Sequence, residues 1–440
     1  MKKKTLTCVI SAVMACLCAL SAAASDYDLS AYLLKVQENN LDIALAYREL
    51  RLARESVNQA RAPLLPGIGA EGSYTRNLQD MPRSTAVASA PSGGPLIYQD
   101  VDTNYDHEIS IGAGITQKLF DPSAWMQYRQ AQKGFSLQEQ AFEAARQNII
   151  CAAKKLYAQT RLAVSVVKIR EASEAASGEL YQSAQRKYRA GAATELDLLM
   201  AEVDWKQKNA ALTEARKNTE TALLALRGLA GIPLAEEIAL TENNDPLPAI
   251  PEDLAANLSG RADYRALLLS RELADMGRKA AAASFLPTVS AGFSYAWGGM
   301  GNDSLTGDYD YTAAQLTLGV NIPLFAGGYR LSRMRAARIE QEKAALNVMK
   351  KQSDIERELA GIGLRLNEAS ERIETARLIE SAARRARALA ETAFANGLVT
   401  RLSVTEAANR LDEASLGLQS AVCEYRSAYY DWELASGNMD

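Results

Sequence analysis

Two short stretches of the sequence share the features of a turn between two helices. They read Tyr188-Arg189-Ala190-Gly191-Ala192-Ala193-Thr194-Glu195-Leu196-Asp197 and Phe394-Ala395-Asn396-Gly397-Leu398-Val399-Thr400-Arg401-Leu402-Ser403. In each, an aromatic residue ends a long helical pattern, and the glycine that follows provides the positive φ of a helix stop. A threonine three residues after the glycine can cap the next helix. Both stretches are therefore predicted to be tips of helical hairpins in a duplicated chain.

The composition is that of an ordinary folded protein. The 440 residues are 48% hydrophobic and 23% charged, with a net charge of -4. This balance excludes a disordered or collagen-like chain. Because no basic block is present, the sequence gives no indication of a nucleic-acid partner.

The N-terminus has the three parts of a secretory signal peptide. Three lysines (Lys2, Lys3 and Lys4) precede an apolar run from Leu6 to Leu20, and Ala22-Ala23-Ala24 offers a cleavage site. Residues 1–24 are therefore predicted to be a cleaved signal peptide, and the chain is predicted to be exported.

The five cysteines fall into two groups. Cys8, Cys16 and Cys18 lie in the signal segment, where Val13-Met14-Ala15-Cys16 loosely resembles a lipidation motif. Met14 fits that motif badly, so ordinary cleavage is favoured over a lipid anchor. Cys151 and Cys423 remain in the mature chain, either as a disulfide or as two buried small apolar residues.

The first copy is predicted to run from residue 25 to residue 232. A helix over 28–61 stops at a proline-containing turn, and a β-hairpin at about 66–120 follows, with a long loop over 77–106. A proline-free helical pattern then continues to Tyr188, roughly 100 Å at 1.5 Å per residue. A return helix over 194–227 completes the copy.

The second copy, over 253–440, repeats this order after a proline-rich joint at 233–252. A helix over 261–283 leads into a β-hairpin at about 287–325, whose strands are predicted at 289–297 and 316–324. A helix over 332–394 and a return helix to Leu434 follow. The loop of this hairpin is predicted from four glycines: Gly298, Gly299, Gly301 and Gly307.

Matching positions keep a nearly constant offset. Leu119 and Leu324 are 205 positions apart, and the tip glycines are 206 apart. Pro66 and Pro287 are 221 apart, because the first β-hairpin is longer. A matched order of elements with one localised length difference indicates duplication.

The four predicted strands alternate between apolar and small or polar residues, as the strands of a transmembrane β-barrel do. Tyr74, Tyr295 and Trp297 are predicted to form an interfacial girdle. Four strands cannot close a barrel, and lipid does not tolerate open sheet edges. A trimer would supply twelve strands. The alternative is a periplasmic coiled-coil scaffold or adaptor protein without a pore.

In the order, duplication and spacing of these features, the chain resembles the TolC-like outer-membrane efflux proteins. The resemblance covers both copies and rests on Leu65-Pro66 and Leu286-Pro287, Leu119-Phe120 and Leu324-Phe325, and the two tips. It implies a mainly α fold with a transmembrane β-barrel portion, in which a homotrimer forms a 12-stranded barrel and a 12-helix periplasmic barrel. The implied location is the outer membrane of a Gram-negative bacterium, in contact with its lipid.

The resemblance also implies a function. The chain would be the passive exit duct of a tripartite efflux pump or a type I secretion system. Its partners would be a periplasmic adaptor and an inner-membrane pump of the RND, MFS or ABC class. The cargo and the pump class stay open at this point.

The gate residues follow from the same resemblance. Family members place acidic side chains of the second tip in the lumen, and the matching positions here are Ser403 and Glu406, so one carboxylate is missing. Asp197 is the first-copy equivalent. The usual basic partner is replaced by Val399, and Arg401 is the substitute predicted nearby. A ring of Glu406 side chains would favour cations, although Glu406 could equally be a solvated surface residue.

Adaptor docking is predicted for residues of both tips. These are Arg189, Gly191, Ala192, Thr194, Gly397, Leu398 and Thr400. An enzyme is not expected, because His107 is the only histidine and the glycine pairs of the strands lack the helix that a phosphate site requires. No cofactor and no metal site are expected.

Overall fold

A computed structural model describes residues 25–79, 82–89, 96–102, 105–236, 238–240, 246–251, 257–303 and 309–438. The predicted signal peptide, with Cys8, Cys16 and Cys18, lies outside the described residues, and so does Gly307 of the predicted second loop.

Seven helices are present in the described part of the chain. Their bounds are α1 Leu29–Asn39, α2 Leu41–Arg61, α3 Pro122–Arg189, α4 Glu195–Ala230, α5 Ala262–Ala283, α6 Tyr329–Ala395 and α7 Arg401–Ser436. A 3₁₀ turn, Ala62–Leu64, follows α2. The predicted long helices α3 and α6 contain 68 and 67 residues. None of the described helices is both long enough and apolar enough to cross a membrane.

Within the described ranges, eight strands form three sheets. The strands are β1 Ser25–Tyr27, β2 Gly67–Arg76, β3 Pro82–Ser89, β4 Leu96–Asp102, β5 His107–Phe120, β6 Ile238–Leu240, β7 Thr288–Gly301 and β8 Tyr309–Asn321. The largest sheet has the order β2-β5-β7-β8 and is antiparallel throughout. It contains the four predicted strands and joins both copies through the β5–β7 pair.

The register of this sheet confirms the predicted alternation. Directly paired residues lie on the same face, so the row Tyr74–Ile109–Gly299 and the row Ile115–Phe293–Leu316 belong to one face. That face carries the apolar residues of all four strands. The opposite face carries small and polar residues, among them Ser73, Ser110, Gly112, Gly114, Ser294 and Thr317.

The predicted loop over 77–106 was wrong in part. Strands β3 and β4 pair antiparallel within it, from Pro82 with Asp102 to Ser89 with Leu96. Pro82 is the first residue of β3, a position at which a proline is tolerated.

The second hairpin also differs from the prediction. Gly298, Gly299 and Gly301 belong to β7 rather than to a loop. Gly298 pairs with Tyr311 across the sheet, and a side chain at position 298 would overlap the Tyr311 ring. Packing against this ring therefore requires glycine. Strand β8 ends at Asn321 and not at Leu324, since Pro323 has no N–H for the ladder.

The predicted helix over 28–61 is two helices separated at Asn40. Asn40 is extended, with a ψ of 125°, and its side-chain oxygen accepts a hydrogen bond of 2.9 Å from the Ile43 N–H of α2. Its side-chain Nδ2 donates to the carbonyl of Leu229 at 2.8 Å. Asn40 therefore caps α2 and ties it to the end of α4.

The chain divides into two compact units. One comprises the described residues of Met1–Leu50, Gln138–Leu267 and Val348–Asp440, and it contains both hairpin tips. Arg51–Leu137 and Leu268–Asn347 form the other, which contains the four-stranded sheet. Each unit therefore contains residues from both copies of the sequence repeat.

The hairpin unit has two apolar cores. One joins α6 to α7 through Ile355, Ile362, Leu366 and Tyr425. The other surrounds the parallel β1–β6 pair and the fully buried Tyr32, whose hydroxyl donates to the Leu226 carbonyl at 3.2 Å. Neither β1 nor β6 was predicted, and β6 lies in the proline-rich joint.

The two mature cysteines are free thiols and both are buried. Burial raises the pKa of Cys151 to about 11. Of the two alternatives left open by the sequence, the structure therefore favours separate buried thiols.

Replacing Asn40 with alanine is expected to destabilise the protein by about 1–2 kcal/mol, because one helix cap and one buried hydrogen bond are lost together. Thermal unfolding followed by circular dichroism measures the effect. Asn58→Ala is the control, since Asn58 bonds only to the exposed Glu55 one turn away. Equal melting temperatures for the two variants would contradict this role of Asn40.

Candidate gate and docking site at the hairpin tips

Both tips have the hydrogen bonds of a Schellman motif. At the first tip Gly191 has a φ of 69°, and the N–H groups of Gly191 and Ala192 donate to the carbonyls of Tyr188 and Lys187. At the second tip Gly397 has a φ of 72°, with the equivalent bonds from Gly397 to Phe394 and from Leu398 to Ala393. The two predicted tips are therefore confirmed as helix stops of the same type.

The helices that leave the tips are capped differently. Thr194 and Asp197 form a capping box, in which the Thr194 hydroxyl accepts from the Asp197 N–H and Asp197 Oδ2 accepts from the Thr194 N–H, each at 3.1 Å. Thr400 makes no side-chain cap hydrogen bond. Ser403 stands at the position of Asp197, and its hydroxyl lies 3.4 Å from the Thr400 hydroxyl.

The carboxylate of Asp197 is kept ionised by its surroundings. Hydrogen bonds from the Thr194 hydroxyl and the Thr194 backbone lower the pKa of Asp197, and the charge of Arg401 adds to them. A negative charge at this helix start is also favoured by the helix dipole. Asp197 therefore caps α4, in addition to its predicted role in the gate.

Two cationic contacts join the first tip to the second. Arg401 Nη1 donates to the backbone carbonyl of Asp197 at 3.3 Å. Lys187 Nζ lies 5.7 Å from the ring centroid of Phe394. Arg401, predicted as the basic residue of the gate, therefore contacts the first tip, and its role in a gate stays a prediction. The Lys187–Phe394 contact was not predicted. In the sequence, the signal for this contact is limited to the aromatic residue that precedes each tip glycine.

The predicted gate residues line two different grooves. Asp197 and Arg401 lie in a groove of about 600 Å³ between α4 and α7. Ser403 and Glu406 lie in a groove of about 680 Å³ between α6 and α7. The second groove also contains Arg410 and Glu413, which the sequence analysis did not select. Spacings of three and four residues place these charges on one face of α7.

A buried polar cluster joins α7 to the first hairpin farther from the tips. Asp412 is 8% exposed, and its Oδ2 accepts from Ser173 Oγ at 2.5 Å and from Lys208 Nζ at 3.1 Å. Lys208 also donates to Asn409 Oδ1 at 2.7 Å. This cluster was missed because its members come from three helices.

The predicted docking residues are all exposed: Arg189, Gly191, Ala192, Thr194, Gly397, Leu398 and Thr400. Leu398 is the most apolar of them, and 77% of its surface is accessible. Leu402, four residues farther along, is 56% exposed, so two apolar side chains are accessible at the second tip.

The predicted girdle residues lie on the apolar face of the sheet, but they lie at different positions along the strands. Tyr74 pairs with Ile109 near the end of β2, and its hydroxyl lies 2.9 Å from His107 Nδ1. Trp297 and Tyr295 pair with Ile111 and Ala113, so they lie two and four residues farther along β5. Their membership in an interfacial band stays a prediction.

Comparison with known proteins agrees with this geometry. The profile of the family described as outer membrane efflux protein matches residues 33–232 and 255–432, one segment in each copy. The outer membrane protein TolC of Vibrio cholerae is 21% identical over 99% of this chain and 96% of its own. The proteases secretion protein PrtF of Dickeya chrysanthemi is 24% identical over 72% of this chain and 68% of its own.

Solved structures share the fold. The Campylobacter jejuni CmeC outer membrane channel superimposes with a TM-score of 0.74 at 20% identity, covering 93% of this chain and 85% of that chain. The family match spans most of both copies, and the family consists of passive channels. The chain therefore belongs to the outer membrane efflux protein family, and it is an outer-membrane exit duct rather than an enzyme.

Proposed function

We propose that three copies of the chain form the duct, with a twelve-stranded barrel in the outer membrane and helical hairpins in the periplasm. The observation that supports this most directly is the four-stranded sheet, in which β2 and β8 each pair on one side only. Unpaired edges are not tolerated in lipid, and a small sheet closes only with further copies. The apolar face of the sheet would then meet lipid.

The duct would receive its cargo from a periplasmic adaptor and an inner-membrane pump of the RND, MFS or ABC class. Efflux is supported by the family, and secretion of proteases by the relative PrtF. The exposed tips, above all Leu398, are the surface proposed for the adaptor.

Leu398→Glu is expected to weaken binding of the adaptor, because the new carboxylate would have to be desolvated at an apolar contact. The yield of adaptor that copurifies with the duct should fall, while single-channel conductance stays the same. Leu378→Glu is the control, since Leu378 is similarly exposed (71%) on α6 but lies 20 residues before the tip. Undiminished copurification would remove Leu398 from the docking surface.

In the closed state, the two cationic contacts between the tips would act as a latch. They link Arg401 to the Asp197 carbonyl and Lys187 to the Phe394 ring, and they lie at the free ends of both hairpins. An adaptor that binds there can break them without unfolding either hairpin.

The double variant Lys187→Gln/Arg401→Gln is expected to raise single-channel conductance several-fold in planar bilayers, because both contacts between the tips are lost. Arg216→Gln is the matched control, as Arg216 pairs with Glu171 inside one hairpin at 2.8 Å. Conductance of the double variant equal to that of the control would exclude a latch at these residues.

Charge selectivity would be set along the exposed face of α7. Three copies of Glu406, Glu413 and Arg410 carry a net negative charge, which favours cations in a narrow aqueous passage. Glu406 lies nearest the tip of these three residues. It is therefore proposed as the first charged ring inside the gate.

Glu406→Gln is expected to lower cation selectivity, measured as a reversal potential closer to zero in a salt gradient. The control is Glu179→Gln, which removes an exposed carboxylate from the first hairpin. If both variants keep the selectivity of the parent channel, Glu406 is only a solvated surface residue.

A further inference from the structure

One end of the apolar face of the four-stranded sheet carries polar side chains. Arg76 of β2 pairs with His107 of β5. This pair lies two residues beyond the Tyr74–Ile109 pair, which belongs to the apolar face. Because every second residue of a strand lies on the same face, Arg76 and His107 are the last residues of that face on their strands. Arg76 is exposed and His107 is half-buried.

The apolar face is about as tall as the hydrocarbon layer of a membrane. On β5 it extends from Ile109 to Phe120. Eleven residue steps of about 3.3 Å, on a strand tilted by about 35–45°, span roughly 25–30 Å along a barrel axis. The polar exception on β5 is Gln117, whose amide donates to the Leu64 carbonyl at 2.9 Å. His107 therefore lies roughly 5 Å beyond the apolar band, at the depth of lipid headgroups.

The connections of the sheet indicate which leaflet this end meets. At the end with Arg76 and His107, the strands are connected by residues 77–106, which include β3 and β4, and by residues 302–308. At the opposite end, α2 and α5 lead into the sheet, and α3 and α6 leave it. Since the helical hairpins are proposed to lie in the periplasm, Arg76 and His107 face the cell exterior. The lipid nearest to them is that of the outer leaflet.

The donors at this end suit a phosphate group. Tyr74 Oη lies 2.9 Å from His107 Nδ1, and the two rings are stacked with centroids 6.0 Å apart. When the Tyr74 hydroxyl donates to Nδ1, Nε2 of His107 carries the ring proton and can donate to a ligand. Directly paired residues have Cβ atoms about 4.5–5.5 Å apart, so the Arg76 guanidinium can reach the same phosphate. Arginine can donate two parallel hydrogen bonds to it.

The positive charge of Arg76 is not paired within the described ranges, where this side chain has no ion pair and no hydrogen bond. The carboxylates described at this end have other positions. Glu108 lies on the opposite face, and Asp106 and Asp303 lie in the connections. Asp310 shares the face but lies two strands, about 10 Å, from β5. A cation directly beyond an apolar band favours an anionic headgroup.

We propose that Arg76 and His107 form a binding site for the phosphate group of an outer-leaflet lipid such as lipid A, with one site in each copy. The acyl chains of the lipid then lie against the apolar band, which begins at Ile109. The site rests on the proposed duct, because the barrel determines which leaflet meets this end of the sheet. It adds a lipid of defined chemistry to the partners of the duct.

Titration of the full chain with lipid A, followed by native mass spectrometry of the trimer in detergent, tests the site. Arg76→Gln/His107→Gln is expected to weaken binding by about tenfold or more, because charge-assisted hydrogen bonds are lost. Arg76→Lys should retain part of the affinity, since it keeps the charge without the bidentate fork. The control is Arg385→Gln, because Arg385 is exposed on α6, 12 residues before Gly397.

Two further probes identify the source of the phosphate. Dephosphorylated lipid A should bind the parent protein no more tightly than lipid A binds the double variant. Inorganic phosphate should not displace lipid A, because it has no acyl chains to bury against the apolar band. Displacement by inorganic phosphate would overturn the lipid assignment in favour of a free anion.

Conductance separates this site from the duct itself. The double variant is expected to keep the single-channel conductance of the parent, which shows that it still folds and assembles. A conducting double variant that binds lipid A as tightly as the parent would exclude the site. A parent protein that is monomeric and does not conduct would instead contradict the proposed duct.

Discussion

The constraint on which the structure depends is backbone hydrogen bonding at the edges of the four-stranded sheet. In water, unpaired N–H and C=O groups of β2 and β8 would bond to solvent, but in lipid each would cost several kcal/mol. In the described part of the chain, four long strands form this sheet. Pairing of its two edges with further strands is therefore a condition for placing the sheet in a membrane.

Duplication lets one chain provide two nearly equivalent surfaces, and the differences between the copies carry the function. Both tips stop with the same Schellman bonds, yet only the first has the Thr194–Asp197 capping box. The second replaces Asp197 with Ser403, and its own cation, Arg401, bonds to the first tip. The Arg401 contact therefore joins the tip with a capping box to the tip without a side-chain cap.

Features governed by local periodicity could be predicted from the sequence. The tips, the long helices and the two faces of the sheet follow from spacings of two, three and four residues. Features that join remote segments could not, among them the β1–β6 pair, the break at Asn40 and the contact between Lys187 and Phe394. Of the gate, the sequence indicated Arg401 as the basic residue, but not its contact with the Asp197 carbonyl. It did not reveal that Glu406 lies in another groove with Arg410 and Glu413.

The distribution of contacts along α7 indicates how a duct of this kind could open without coming apart. Near the tips the hairpins are joined by exposed contacts, of which the cation–π contact at Lys187 contributes about 0.5–1 kcal/mol. Farther along, Asp412 is buried and bonded to two other helices. Removing one partner of such a cluster leaves a buried charge unpaired, which is far more costly. A docking protein can therefore separate the tips at small cost, while the Asp412 cluster keeps the remainder of α7 against the first hairpin.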